Sequence, residues 1–532
     1  MEVKSSIIFC ITITAATCQI YFPVDSGEAY FSSYDKAAPT LRINVKNENT
    51  TNADDLMARS IVQLTLNMNR VTTALLQQGE ISNFVFSPIS VAGVLALVLL
   101  ASIGRTFDEI KNVMGFDQGF NIENDIFEVH RRLGEISKNI VNYVGSSNVM
   151  LYKSAIFVQD DYPIRKEYQQ AVDYFYQNQV VNLNFQNNPN YAKTYINSWV
   201  SNNTKGVIPT LLSDPPDSRT KAIAVNALYF KGAWDNPFIK GATTWKPFYI
   251  NGRNNKSDRM VMMMYNGGEF PYYKDKELNV EILGFPYKDS NTVMYVILPQ
   301  DSSVDKLHQL ENYLTVRDIE RLIDSTSETE ATVSFPKMKL VSTMNLAQPL
   351  KALNVKSLFD SQNANLALLS PGIVSRFAEI YRPQVKTTTQ QPQSNLGNQL
   401  IFARFNEQES CEKVYDPYTR AYRCRYQIRH TRQAQLDFLE KLQKIYQQFK
   451  DKPEQINPGV YADQFIHKVF IDITEEGTEA AAVSGTGINR SGGKVTFRCD
   501  VPFIFFIYQK ETKTILFWGS IKSPVPSVAN DN

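Results

Sequence analysis

Four histidines, His130, His308, His430 and His467, are the side chains best suited to proton transfer near neutral pH, yet their spacing argues against a hydrolase. None lies in an H-E-x-x-H pattern, which would put two metal ligands on one helix face, and no G-x-S-x-G stretch offers an exposed nucleophile. His467 falls in an apolar, strand-like run, where a buried and doubly hydrogen-bonded ring is the simpler reading than a general base. Gly485-Thr486-Gly487 with Gly492-Gly493 has the spacing of neither standard phosphate-binding glycine motif. Glu475 and Glu476 point to opposite faces if they lie on a strand, so they make no metal site. The sequence therefore predicts no catalytic centre, no metal and no cofactor.

The informative stretch is Glu475-Glu476-Gly477-Thr478-Glu479-Ala480-Ala481-Ala482 and its continuation to Lys494, which joins two hydrophobic strand patterns. A run of small residues cannot build its own core and should be exposed. Read with a period of two, one face carries Thr478, Ala480, Ala482, Ser484 and Thr486, all small and uncharged. A segment that must slide into a packed sheet needs such a face, because bulk or charge there costs several kcal/mol. The other face, with Glu479, Ala481, Val483 and Gly485, is expected nearer solvent.

The elements that must position this stretch read as α+β. Apolar positions Ile61, Leu64, Leu66, Val71 and Leu75 fit a helix over 56–76, and Ser87-Pro88-Ile89-Ser90 opens a buried helix over 90–104. Strand patterns follow at 222–230, 292–298, 331–335, 465–473 and 501–507, mostly without alternation, as in sheets buried on both faces. The 532 residues are 43% hydrophobic with a net charge of +1, which supports a large core and argues against a nucleic-acid binder.

At the N-terminus, Lys4, the apolar run from Ile7 to Ala16 and the polar exit at Gln19 read as a signal peptide over 1–18, cleaved after Cys18. The run falls short of the roughly 20 residues that span a bilayer. Secretion would remove Cys10 and Cys18, leaving Cys411 and Cys424, close enough in sequence to form a disulfide, and Cys499 in an apolar run. Residues 19–55 form a polar extension, and the main domain is expected over 56–526. Within it, 372–458 looks inserted: a Thr/Gln/Pro-rich tract at 387–399 precedes a helical pattern with Phe438, Leu442, Ile445 and Phe449 on one face. The insert holds 14 Lys/Arg against 9 Asp/Glu, so it is locally basic and expected to be a solvated excursion.

The run from Glu475 to Ala482 resembles the hinge of the serpin family. Asn83-Phe-Val-Phe-Ser87-Pro88-Ile-Ser90, Asn197-Ser-Trp-Val, Thr204-Lys-Gly-Val-Ile208 and Asn226-Ala-Leu-Tyr-Phe-Lys-Gly-Ala-Trp234 resemble further serpin segments in the same order. So do Val261-Met262-Met263, Phe335-Pro336-Lys337, Val501-Pro502-Phe503 and Leu516-Phe517-Trp518-Gly519. The resemblance implies a serpin fold with three β-sheets, eight or nine helices and an exposed reactive-centre loop over 475–498. It implies a protease inhibitor rather than an enzyme, monomeric, with no nucleic-acid or membrane partner. A protease attacks the loop, and the freed strand enters the main sheet before the acyl-enzyme can hydrolyse. By the same resemblance Ser87, Ser90, Asn226 and His467 form the shutter that controls sheet opening, and Trp234 marks the breach where the hinge enters.

Counting from Gly477 and back from Pro502-Phe503 with the commonest serpin loop length lands on Ser491. Loop lengths vary by a residue among serpins, however, and the neighbouring Arg490 supplies a better specificity handle for the acidic pocket of a trypsin-like protease. The implied bond is Arg490–Ser491, with Ser491–Gly492 and Lys494 as alternatives. Asn489-Arg490-Ser491 is also an N-glycosylation pattern, as are those at Asn49, Asn202 and Asn255. In the insert, Arg420, Arg423, Arg425, Arg429 and Arg432 are interleaved with tyrosines and could form an exosite for a polyanion or a protease. The rival reading is a non-inhibitory serpin acting as carrier, chaperone or storage protein. The regular small residues of the hinge favour inhibition.

Overall fold

A computed structural model of the chain describes residues 53–76, 83–116, 120, 122, 125–143, 146–257, 259–373, 411–416, 421–426, 432–450, 457–478 and 494–524. The expected signal peptide, the extension to residue 52 and the loop from Glu479 to 493 lie outside these residues. In chain order the first elements are α1 (Ala53–Leu76), β1 (Phe84–Phe86), α2 (Pro88–Ala101), α3 (Gly104–Val113), α4 (Glu128–Tyr143), β2 (Asn148–Gln159), α5 (Lys166–Tyr176), β3 (Gln179–Leu183) and α6 (Pro189–Asn203). Then come β4 (Ala222–Ala233), β5 (Thr244–Phe248), β6 (Arg259–Asp275), β7 (Val280–Pro286), β8 (Thr292–Pro299), α7 (Val304–Tyr313), α8 (Val316–Asp324), β9 (Ser327–Pro336), β10 (Met338–Asn345) and α9 (Ala347–Ala352). The last are β11 (Cys411–Asp416), β12 (Ala421–Tyr426), α10 (Arg432–Lys450), β13 (Ala462–Ile473), β14 (Gly477–Thr478), β15 (Val495–Arg498), β16 (Phe503–Gln509) and β17 (Thr514–Ile521).

Helix α2 shows why the chain folds this way. Ser87 caps it, its side chain accepting from the Ser90 N–H at 3.3 Å, and Pro88 occupies the first turn, where its missing N–H costs nothing. All fourteen residues are buried, so the helix runs through the core. It ends at Ala101, short of the expected 104, because Ser102 is already extended and Gly104 starts α3.

The six-stranded sheet has the order β10-β13-β14-β4-β2-β3. Its strands β4 and β13 alternate between two cores. Ala224, Leu228, Phe465 and Val469 face the main core with α2, whereas Val225, Tyr229, Ile466 and Phe470 pack with Ile196, Trp199 and Val200 of α6. Burial on both faces explains the lack of polar alternation in sequence. The remaining strands form a nine-stranded sheet, β1-β17-β16-β8-β7-β6-β9-β15, with β5 also on β6. Of the three sheets expected, two are therefore continuous here, because the 17-residue β6 pairs with β5 at one end and with β7 and β9 further along. A separate β11–β12 hairpin lies in the insert.

The insert also departs from expectation. Phe438, Leu442 and Tyr446 of α10 join the main core, with Ile445 and Phe449 only packed against it. The buried face is shifted from the one expected because the i, i+4, i+8 row through Tyr446 meets α3 and α5. The C-terminal arm of the insert is thus a docked helix, not a solvated excursion.

Candidate functional site

Two strands of the six-stranded sheet, β13 and β4, run parallel and pair directly from Ala462 opposite Ala222 to Phe470 opposite Tyr229. At one end they part to admit β14. Thr478 lies between Ile473 and Gly232, antiparallel to both, and Gly477 lies opposite Ala233. The hinge was expected to be exposed throughout, but Gly477 and Thr478 are buried in the sheet. The small-residue segment has already begun to enter. Its inward face is the expected one, since the Thr478 hydroxyl meets the buried Tyr287 hydroxyl at 2.8 Å.

Glycine at 477 is dictated by close approach. A Cβ there would sit 2.0 Å from the Gly232 carbonyl oxygen, and the backbone has φ +156. The chain before it is clamped. Trp234 is buried and stacked on Tyr287 at 4.7 Å, and its indole N–H donates to the Thr474 carbonyl at 3.0 Å. The backbone N–H groups of Trp234 and Phe238 donate to the Glu476 and Glu475 carbonyls at 3.0 and 2.8 Å. Trp234 therefore sits where the resemblance placed the breach.

Glu475 and Glu476 occupy the turn between β13 and β14, and each has its own lysine. The Lys337 ammonium donates to Glu475 at 2.9 Å and the Thr243 hydroxyl donates at 2.6 Å, while Lys240 pairs with Glu476. Burial disfavours ionisation of Glu475, but these two donors outweigh it and hold the carboxyl below its ordinary range. Sequence reasoning missed Lys240, Thr243 and Tyr287 as partners. Lys337 had been noticed only as part of Phe335-Pro336-Lys337.

Further along the closed pair lies His467, opposite Asn226. Its Nε2 accepts from the Ser87 N–H at 2.9 Å, so the ring proton is on Nδ1, which faces the Asn226 side-chain oxygen at 3.1 Å. Asn226 in turn donates to Ser154 at 2.9 Å. One hydrogen-bonded line thus runs from the start of α2 through β13 and β4 to β2. Burial lowers the histidine to about 3. Ser90 is buried beside Ser87, and its hydroxyl has no partner among the described residues. Ser87, Asn226 and His467 are brought together as expected, and Ser154 is the member that sequence reasoning missed.

Cys499 is buried, which pushes its thiol well above the ordinary range and makes it unreactive. Asn202 and Asn255 are exposed. Among the described residues no cluster of three acids, histidines or cysteines could hold a metal, and no helix is long and apolar enough to cross a membrane. Ala480, Ala481, Ala482, Arg490, Ser491, Asn49, Asn489, Arg420 and Arg429 lie outside the described residues. Arg423, Arg425, Arg432, Cys411 and Cys424 are described in backbone only. The hairpin register pairs Cys424 with Lys413 and Cys411 with Tyr426, so the cysteines are offset by two residues rather than directly opposed.

A parallel pair prised open at one end by a small-residue strand is a distinctive arrangement. A family model for serpins, the serine protease inhibitors, matches residues 67–391 and 432–524. The chain belongs to the serpin family. Among related proteins, Serine protease inhibitor 28Dc of Drosophila melanogaster is 26% identical over 83% of this chain and 75% of its own length. Intracellular coagulation inhibitor 2 of Tachypleus tridentatus is 26% identical over 84% and 87%. The human leukocyte elastase inhibitor is 26% identical over 85% and 96%. Among solved structures, mouse protein-Z dependent protease inhibitor has a TM-score of 0.64 at 20% identity, covering 89% of this chain and 98% of its own. Uncleaved ovalbumin has 0.63 at 23%, covering 88% and 100%. These likenesses show the serpin fold, and the family is one of protease inhibitors. The family match resumes at residue 432, where α10 begins, so the unmatched part of the insert is 392–431.

Proposed function

We propose that this serpin is a secreted inhibitor of a trypsin-like serine protease, cut at Arg490–Ser491. The observation that carries the reading is the seat of Gly477 and Thr478 between β13 and β4. Their register, set by Ile473 and Gly232 on either side of Thr478, can be extended along both strands as far as the irregularity between Ala462 and Gln464. Continued entry would put Ala482 between Val469 and Leu228, Ser484 between His467 and Asn226, and Ile488 opposite Ala222, where β4 begins. Every inward position is small as far as Thr486.

The end of the slot also favours the bond. Arg490 lies two residues beyond Ile488, a tether of at most about 7 Å. A cut after Lys494 would leave six residues, about 20 Å of slack, and a protease so loosely held would keep its active site intact. The chemistry runs as follows. The protease serine oxygen bonds to the Arg490 carbonyl carbon, and the Ser491 nitrogen leaves as the amine with a proton from the protease histidine. The ester then awaits water. Loop entry carries it to the far end of the slot before water attacks, so the serpin contributes the strand and the protease all the catalysis.

The inhibitor names carried by relatives at 26% identity support the activity. Secretion rests on the N-terminal stretch, and one relative is named as intracellular. We also assign the basic residues of the insert as a candidate polyanion or protease exosite. Because α10 is part of the core, its test is deletion of the unmatched 392–431, with unchanged heparin affinity and inhibition rate as the contrary result. For the function itself, incubation with trypsin should yield a denaturant-resistant covalent complex, lost in Arg490→Ala. Clean cleavage without a complex would favour the carrier or storage reading, and a glycan at Asn489 would have the same effect, which Asn489→Gln would reverse. Protein recovered from culture medium should begin at Gln19.

A further inference from the structure

The end of the slot where the loop would arrive is bordered by α10. At that end the N–H groups of Lys221 and Ala222 donate to Asp463 at 2.6 and 3.3 Å, and the Gln159 N–H donates to the Lys221 carbonyl at 2.9 Å. The Lys221 ammonium lies 5.6 Å from the Tyr162 ring. Three residues on, a span of at most about 11 Å, Arg165 is fixed by its N–H to Leu369 and its Nε to Ala367. The Arg165 guanidinium covers Phe449 of α10 at 5.9 Å.

Helix α10 is antiparallel to α5. Its Phe438 meets Tyr174 near the C-terminus of α5 at 5.9 Å, and its own C-terminal turn reaches Arg165 at the start of α5. The half of α10 nearest the slot end is therefore 441–450. Its inward face is fixed by Leu442 and Tyr446, which leaves Lys441, Lys444, Gln447, Gln448 and Lys450 exposed. This ridge carries three cations and no acid.

We propose that the exposed ridge of α10 is a contact surface for the acylated protease after it has been carried across the molecule. The inference rests on the inhibitor reading. An ester tethered within about 7 Å of the slot end belongs to a body roughly 45 Å across, for a chain of some 230 residues. Such a body overhangs what lies within about 20 Å of the ester, and the contacts through Lys221, Tyr162 and Arg165 lead from the slot end to the C-terminal turn of α10. The reversible encounter complex forms at the opposite end of the sheet, beside the intact loop, and leaves α10 bare. The surface is thus reserved for the trapped state.

The test places a photo-crosslinking benzophenone amino acid at Gln447, which is exposed and outside the docked face. The probe partner is trypsin, used active and with its nucleophilic serine replaced by alanine. Crosslinking should appear in the covalent complex and be absent from the reversible complex with inactive trypsin. A covalent complex that forms normally but never crosslinks overturns the inference, as does equal crosslinking to both trypsins. Failure to form any covalent complex overturns the inhibitor reading itself, and this contact with it. As a second readout, Lys441→Glu with Lys444→Glu and Lys450→Glu should leave the association rate within twofold. Release of trypsin should then change threefold or more, slower for a cationic trypsin and faster for an anionic one. Unchanged release with both trypsins would count against the contact.

Discussion

At the scale of single residues, the mouth of the slot is held by groups whose removal has calculable consequences. Gly477→Ala forces a methyl carbon against the Gly232 backbone, so residues 477 and 478 should leave the sheet. The Tyr287–Thr478 hydrogen bond would go with them, which fluorescence of Trp234, stacked on Tyr287, can report. An unchanged spectrum would mean that the close approach is relieved elsewhere. Glu475→Lys should destabilise the native form, and Lys337→Glu in the same molecule should recover part of the loss. A double-mutant cycle with no coupling would remove this pair from the account. The histidines give a pH dependence. Burial lowers both His130 and His467 from 6.5 to about 3. Between those values the unfolded chain binds more protons, so stability is full above pH 6.5 and falls as the pH drops toward 3. Each contributes about 1.4 kcal/mol per pH unit. His467→Gln should lessen the slope by about one proton in denaturation midpoints between pH 6 and 4, and an unaltered slope would show that His467 is not held neutral. The burial of His467 was legible in its apolar surroundings. The family resemblance grouped Ser87 and Asn226 with it, but Ser154 was not legible, because only the sheet register joins it to Asn226.

At the scale of elements, patterns local to one segment were readable and edges were not. Apolar periodicity located α1, the Ser-Pro start and all-round apolarity located α2, and uninterrupted apolar runs located β4, β8 and β13, since burial on both faces removes polar residues from the sequence. The entry of β14 was hidden, because two residues carry no periodicity and their place depends on β4, more than 200 residues away. The outer face of the loop strand, expected nearer solvent, lies outside the described residues, but the register allows its seat to be projected. Positions 481 and 485 would lie beside Tyr229 and Phe470, and beside Val225 and Ile466, beneath α6 rather than toward solvent. This gives Ala481 and Gly485 a reason to be small. Ala482→Arg should convert inhibitor into substrate, because residue 482 would enter between the buried Val469 and Leu228. Gel analysis with trypsin would then show cleaved chain and no complex, and a retained complex would contradict the register. Helix α10 was found by periodicity but misplaced, since an amphipathic face does not say what covers it. Leu442→Ala should cost about 2–5 kcal/mol in urea denaturation if the helix is docked as described. A loss near zero would return it to solvent.

At the scale of the whole molecule, the fold holds a direct β13–β4 pairing in place of a three-strand arrangement that its own loop can complete. The hydrogen-bonded line from Ser87 to Ser154 crosses the closed part, while the aromatic and acidic clamps around Trp234 keep the open end ready. Neither half explains inhibition alone. A slot that never opened would leave a simple substrate, and a loop already seated throughout would present no bond to a protease. On the proposed inhibitor reading, the intact native form must be less stable than the cut one, with the difference released only when the loop is broken, for which Arg490–Ser491 is the proposed bond. The direct measurement is the thermal unfolding midpoint of the purified chain before and after a single trypsin cut at that bond. A midpoint well above that of the intact chain, with residues 480–488 newly protected from hydrogen exchange, is the predicted result. Equal midpoints, with that stretch still exchanging freely, would contradict the account.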